Sequence, residues 1–183
     1  MRGIPIIRGV AASALGTLAM DTTLYRRYRN GGGHDAFVAW ESSDGVESWD
    51  GAPAPALVAK QILERVTSRE VPPRCARLLN NATHWTFGLA AGAGYGLLAG
   101  SRIPKPRYGL PFGTAVWASG YVVLPRLGVY EDIWNYDLDT LEKDLSAHLV
   151  FGVATAAAFA LLARTTAGGE RRALVATTQR RSR

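Results

Sequence analysis

Four ionisable residues carry the chemistry that this sequence offers: His84, His148, Glu142 and Asp144. Both histidines open the same short phrase, His-x-x-Phe-Gly, and the two carboxylates precede His148 by six and four residues. Imidazole is the side chain whose ordinary titration falls near neutral pH. Next to carboxylates, a His pair can pass protons, respond to pH or ligate a metal. Ionisable groups at membrane depth turn toward the interior of a helix bundle and mark functional sites. The competing reading is a plain hydrogen bond between helices at headgroup level. Nothing else in the chain resembles a reaction centre. There is no Gly-rich phosphate loop, no nucleophile elbow and no His-Glu-x-x-His. The single Cys75 excludes an intrachain disulfide and argues against a cysteine-based metal cluster. No catalytic residue, cofactor-binding residue, metal ligand set or cofactor is therefore assigned, and the chain is not expected to be an enzyme.

The elements that must position these residues are long uncharged runs. Between Arg77 and Arg102 lie 24 residues without Lys, Arg, Asp or Glu. At about 1.5 Å per helical residue they can cross a hydrocarbon core of about 30 Å. Within the run Gly88, Gly92, Gly96 and Gly100 recur every four residues, and His84 starts the row. Residues four apart share a helix face. In water each glycine costs such a helix about 1 kcal/mol. In a membrane the same row, a glycine zipper, lets a second helix approach closely. The alternative is a Gly/Ala-rich helix buried in a soluble core. Tyr108–Pro125 and Leu145–Ala163 are also free of charge. The mean hydropathy of +0.00 averages over this segregation.

The reading is an all-α, integral membrane four-helix bundle. The membrane domain occupies residues 1–166, with spans near 4–21, 81–100, 108–126 and 145–163. The first span is the weakest, because Arg8 interrupts it, and its rival is a cleaved signal peptide. A polar, Gly/Pro-marked connection follows, over 22–80. It contains an amphipathic helix near 55–68 that packs on the bundle or lies on the membrane surface. Asp139 and Glu142 have the spacing of a capping pair at the start of the last helix. The tail, 167–183, is basic and expected to be disordered. The net charge of +6 is placed beside apolar runs and in the tail, which suits anionic headgroups of a lipid bilayer rather than nucleic acid. Gly113 and Gly152 join Gly88, Gly92, Gly96 and Gly100 as helix-packing positions.

The second and fourth runs align without a gap over sixteen positions at an offset of 64, pairing His84 with His148, Phe87 with Phe151 and Gly88 with Gly152. This implies two helical hairpins in the same orientation. The acidic connection 127–144 opposes the basic turn 101–107 and the basic tail, so both termini are expected in the cytoplasm. Arg26, Arg27 and Arg29 lie on the other side in that arrangement. His84, Phe87 and Tyr95, Pro104, Gly109 and Gly113, Pro125-x-x-Gly128, and Glu142, Ser146 and His148 together resemble the YagU-like family of uncharacterised bacterial inner-membrane proteins. The resemblance covers roughly 81–152. It implies a multi-pass inner (plasma) membrane protein and brings no reaction, cofactor or catalytic residue. Two classes of function remain. One is a non-enzymatic scaffold or oligomeric component that contacts lipid, copies of itself or another membrane protein. The other is a small transporter or proton-linked channel using the His pair near the outer face. A polar, water-accessible cavity between His84 and His148 would favour the channel, and a dry interface the scaffold.

Overall fold

The first helix contains a four-residue row of its own: Gly9, Ser13, Thr17 and Asp21. Small side chains at that spacing form a smooth stripe on one face. In the computed structural model, which describes residues 3–100 and 104–181 and side chains within 4–165, this stripe meets the glycine row of another helix. The described residues form six α-helices and no strand: α1 (Gly3–Asn30), α2 (Phe37–Glu41), α3 (Ala54–Thr67), α4 (Ala76–Ala99), α5 (Gly109–Val123) and α6 (Leu138–Arg181).

Helix α1 lies between α4 and α6 and packs on both, α5 packs on α6, and α3 lines the other flank of α4. The α1–α4 seam is antiparallel and closed by backbone. A Cβ on Gly88 would stand 2.6 Å from Thr17 Oγ1. One on Gly92 would stand 2.5 Å from the Gly9 carbonyl oxygen, and one on Gly96 2.9 Å from the Pro5 carbonyl carbon. Gly100 is not part of the seam. It ends α4 at φ +57 with its N–H on the Gly96 carbonyl, a conformation that glycine accepts without strain. The α5–α6 seam is built the same way: a Cβ on Gly152 would lie 2.8 Å from Gly113 Cα, and one on Gly109 2.5 Å from Val153 Cα. Such contact gains dispersion energy from many atom pairs at once.

Helices α4 and α6 run parallel on either side of α1. Tyr95 and Phe159, separated by 64 residues, touch edge-on at 5.5 Å, and Phe112 closes on Tyr95 at 4.8 Å. The offset of the internal repeat is thus also the spatial register of the two helices. Around this aromatic centre Ala12, Ala156 and Phe159 are fully buried, and Arg8 lies over the Phe159 ring.

Several sequence expectations change. The weakest expected span is the central helix, and it extends nine residues past the expected end at residue 21, to Asn30. Tyr25-Arg-Arg-Tyr-Arg29 therefore belongs to α1 and not to the connection. The reason is tertiary: Arg27 donates to the Lys143 carbonyl and, at 2.9 Å, to Ser146 Oγ, while Arg29 holds the His34 carbonyl at 2.9 Å. Of the four expected spans, only two helices among the described residues are long and apolar enough to cross a membrane, Ile4–Asn30 and Leu138–Thr165. The expected third span is α5, which has 15 residues and covers about 22 Å. Single 3-10 turns at Pro106–Tyr108 and Pro125–Leu127 bracket it, because proline lacks the N–H that would continue the ladder. The expected second span, α4, has 24 residues, but Asn80, Asn81, Thr83 and the glycines lower its apolar content. The 167–183 tail expected to be disordered continues α6 as far as Arg181, through residues such as Ala173 and Leu174 with good helix propensity.

Helix α6 starts on Asp137 rather than on the Asp139/Glu142 pair. Asp137 Oδ1 accepts the Thr140 N–H at 2.8 Å and Oδ2 the Thr140 hydroxyl at 2.9 Å. These bonds hold the Asp137 carboxyl below its ordinary 3.8. A depressed carboxyl stabilises the fold above its unfolded pKa and loses that contribution as pH falls through the lower folded value. An NMR titration is expected to place the Asp137 midpoint below 3.8, and Thr140→Val to move it upward. A midpoint that Thr140→Val leaves in place would mean that the Thr140 hydroxyl takes no part in this cap, since valine keeps the backbone N–H.

Candidate functional site

The α1 and α4 rows end together in an ion pair. Asp21, the fourth residue of the α1 row, faces His84, the first of the α4 row, with His84 Nε2 3.2 and 3.3 Å from the two Asp21 oxygens. Asp21 is 2 % exposed, whereas His84 keeps an open edge. Four-residue spacing on two antiparallel helices brings their row ends to one level, so the zipper itself sets this distance. The Asp21 carboxylate fixes the imidazole ring at this level of the seam.

A third residue completes the group. The chain turns back at Gly31–Gly33 and forms α2, which Phe37 and Trp40 hold against Tyr25 at ring separations of 5.2 and 5.5 Å. Glu41, the last residue of α2, then reaches the pair. One ligand atom from each of Asp21, Glu41 and His84 lies within 4.8 Å of the others. Burial and the neighbouring Asp21 charge raise the Glu41 carboxyl above its ordinary 4.5, and His84 opposes that rise. Glu41 Oε1 is buried without a hydrogen-bond partner. Among the described residues, this is the group arranged to hold a cation.

His148 forms a separate pair. Its Nδ1 lies 2.9 Å from the Asp144 carbonyl and 3.3 Å from Asp144 Oδ1, one helical turn earlier. Tyr121 and Trp117 of α5 face the same carboxylate. The ring of Tyr121 meets Tyr130 of the acidic connection at a tilt, 5.5 Å away, and Tyr136 edge-on at 5.4 Å. Burial and the Asp144 charge push the Tyr130 hydroxyl upward.

The four residues singled out by sequence therefore do not form one constellation. Asp144 serves His148, and Glu142 serves neither histidine. Its side chain is exposed and only its carbonyl is used, by Ser146 Oγ. Six residues on a helix turn a side chain about 240° away, whereas four bring it back to the same face. The two imidazoles do lie at one end of the bundle, each held on a carboxylate of its own. Asp21 and Glu41 went unnoticed in the sequence. The available signal was the Gly9, Ser13, Thr17, Asp21 spacing, which mirrors the glycine row. No sequence signal marks Glu41, whose place depends on the reversal after α1.

These features define a class: an all-helical bundle with glycine-closed seams and a cluster of His–carboxylate pairs at one end. Compared with protein-family models, with curated proteins and with solved structures, the chain matches none of them.

Proposed function

We propose that this chain is a multi-pass membrane protein that works as a non-enzymatic scaffold or oligomeric component, through packing and not through a pore. The observation that carries this reading is the contrast between its seams and its outer faces. The α1–α4 and α5–α6 seams are closed by backbone contact along their small residues. Outward, large apolar residues stand bare on all six helices, among them Ile7 at 70 %, Leu98 at 83 % and Leu161 at 62 %. Apolar surface of that extent has to be covered by lipid or by another protein. A shallow groove of Leu110, Leu149, Val150, Val153, Ala154 and Ala157 on the α5–α6 flank suits a neighbouring apolar helix. Both termini lie on the cytoplasmic face of a bacterial inner membrane in this proposal, with the basic tail at anionic headgroups. The YagU-like resemblance is in keeping with it. A second reading, a small proton-linked channel or transporter, draws on the two His–carboxylate pairs at one level of the bundle.

Reporter fusions at the C-terminus and after residue 130 test the arrangement. The expected result is a cytoplasmic C-terminus and an external 127–137 connection, with the chain extracted only by detergent. Recovery of the chain from the soluble fraction would overturn the proposal. A proton flux into liposomes that His148→Ala abolishes would favour the channel.

A further inference from the structure

We propose that Asp21, Glu41 and His84 bind one divalent transition-metal cation of the zinc class, with a remaining position open to water. Two observations carry this beyond proximity. The three donors come from three elements, α1, α2 and α4, and their ligand atoms converge within 4.8 Å. Ligand atoms on one zinc ion, each about 2.0–2.2 Å from the metal, lie about 3.3–3.6 Å apart in a tetrahedron. The His84–Asp21 separations of 3.2 and 3.3 Å already approach that spacing, and a Glu41 oxygen lies within 4.8 Å of the other two ligand atoms. Independently, Glu41 Oε1 is buried with no hydrogen-bond partner in the protein, beside an Asp21 that is 2 % exposed. A buried carboxylate oxygen without a donor is costly, and two carboxylates facing each other there call for positive charge. A dication with a neutral imidazole balances the two carboxylates.

The donor set selects the metal. One imidazole nitrogen and two carboxylates suit zinc and its first-row neighbours. Calcium takes six to eight oxygens, and magnesium an octahedral oxygen shell, so three mixed ligands do not make a dedicated site for either. The open edge of His84 gives the ion and a water a path in. The site would also have a structural consequence: α2 buries no residue of its own, and a metal bond from Glu41 would fasten it to the bundle. The inference is independent of whether the protein acts as a scaffold or as a channel.

The experiment uses the full chain in detergent, purified without a polyhistidine tag and stripped with a chelator. Zinc is titrated calorimetrically, and cobalt(II) is followed by its visible absorption. The expected result is one equivalent of zinc, a cobalt spectrum with a nitrogen ligand, and a zinc-dependent rise in melting temperature. Glu41→Gln and His84→Gln are each expected to weaken zinc binding at least about tenfold, since even outer-shell losses cost about 10–100-fold. His148→Ala, which changes the other pair, is expected to bind as the wild type does. No stoichiometric uptake by the wild-type chain would overturn the proposal, whatever the variants do. So would uptake that Glu41→Gln leaves undiminished, or that His148→Ala removes.

Discussion

Gly92→Leu is expected to destroy the folded state, while Gly94→Leu, two residues away on the same helix, is tolerated. A Cβ at position 92 overlaps Ser13 and lies 2.5 Å from the Gly9 carbonyl oxygen, so its neighbours are a buried side chain and the α1 backbone. Neither can move without parting α1 from α4. Overpacking a well-filled core costs about 1–3 kcal/mol, and contact against backbone belongs at or above the top of that range. Gly94 has nothing within 4 Å of its would-be Cβ and faces outward. The measurement is thermal unfolding in detergent together with particle size. Aggregation or a collapse in melting temperature for Gly92→Leu, against a near-wild-type Gly94→Leu, is the expected pair. Equal behaviour of the two would mean that α1 does not lie on the glycine row.

Asp21→Ala is expected to have the second largest effect. It removes the acceptor of His84 from a position that is 2 % exposed, and breaking a buried pair by deleting one partner costs about 3–5 kcal/mol. His84→Ala should be comparably harmful, because it leaves Asp21 buried beside Glu41 with no cationic neighbour on α4. The double variant loses both charges at once, and its cost should fall well short of the sum. That shortfall is the coupling energy of two residues in contact. Unfolding of the two single variants and the double variant, measured in chelator so that no metal contributes, supplies the cycle. Strict additivity would show that Asp21 and His84 do not share an interaction.

Much of the helical content was legible from charge and spacing alone. Uncharged runs located α4, α5 and the middle of α6, and the glycine period identified the face of α4 that needs a close neighbour. The amphipathic pattern of Val58, Ile62 and Val66 located α3, which covers Ala54–Thr67. The offset of 64 between His84 and His148 carried spatial meaning, since Tyr95 and Phe159 meet at that offset. The errors arose where local composition opposed tertiary context. Arg8 marks a weak span in isolation, yet Phe159 receives its guanidinium and makes α1 the central helix. Arg26, Arg27 and Arg29 resembled a connection, but Arg27 bonds to α6 and Arg29 to the loop that follows.

Sequence by itself determined that this is a helical protein with charge segregated from long apolar runs. It also determined that its close helix contacts run along four-residue rows. Both follow from local physics: a helix repeats nearly every four residues, and only glycine or another small residue lets two backbones touch. Which row meets which, and therefore which carboxylate meets which histidine, was decided by the tertiary structure. His84 pairs with Asp21 across 63 residues, and Glu41 joins them from a five-residue helix. His148 instead takes Asp144 from its own preceding turn. Spacing along one helix is written in the chain, whereas a contact between helices depends on how whole faces interlock.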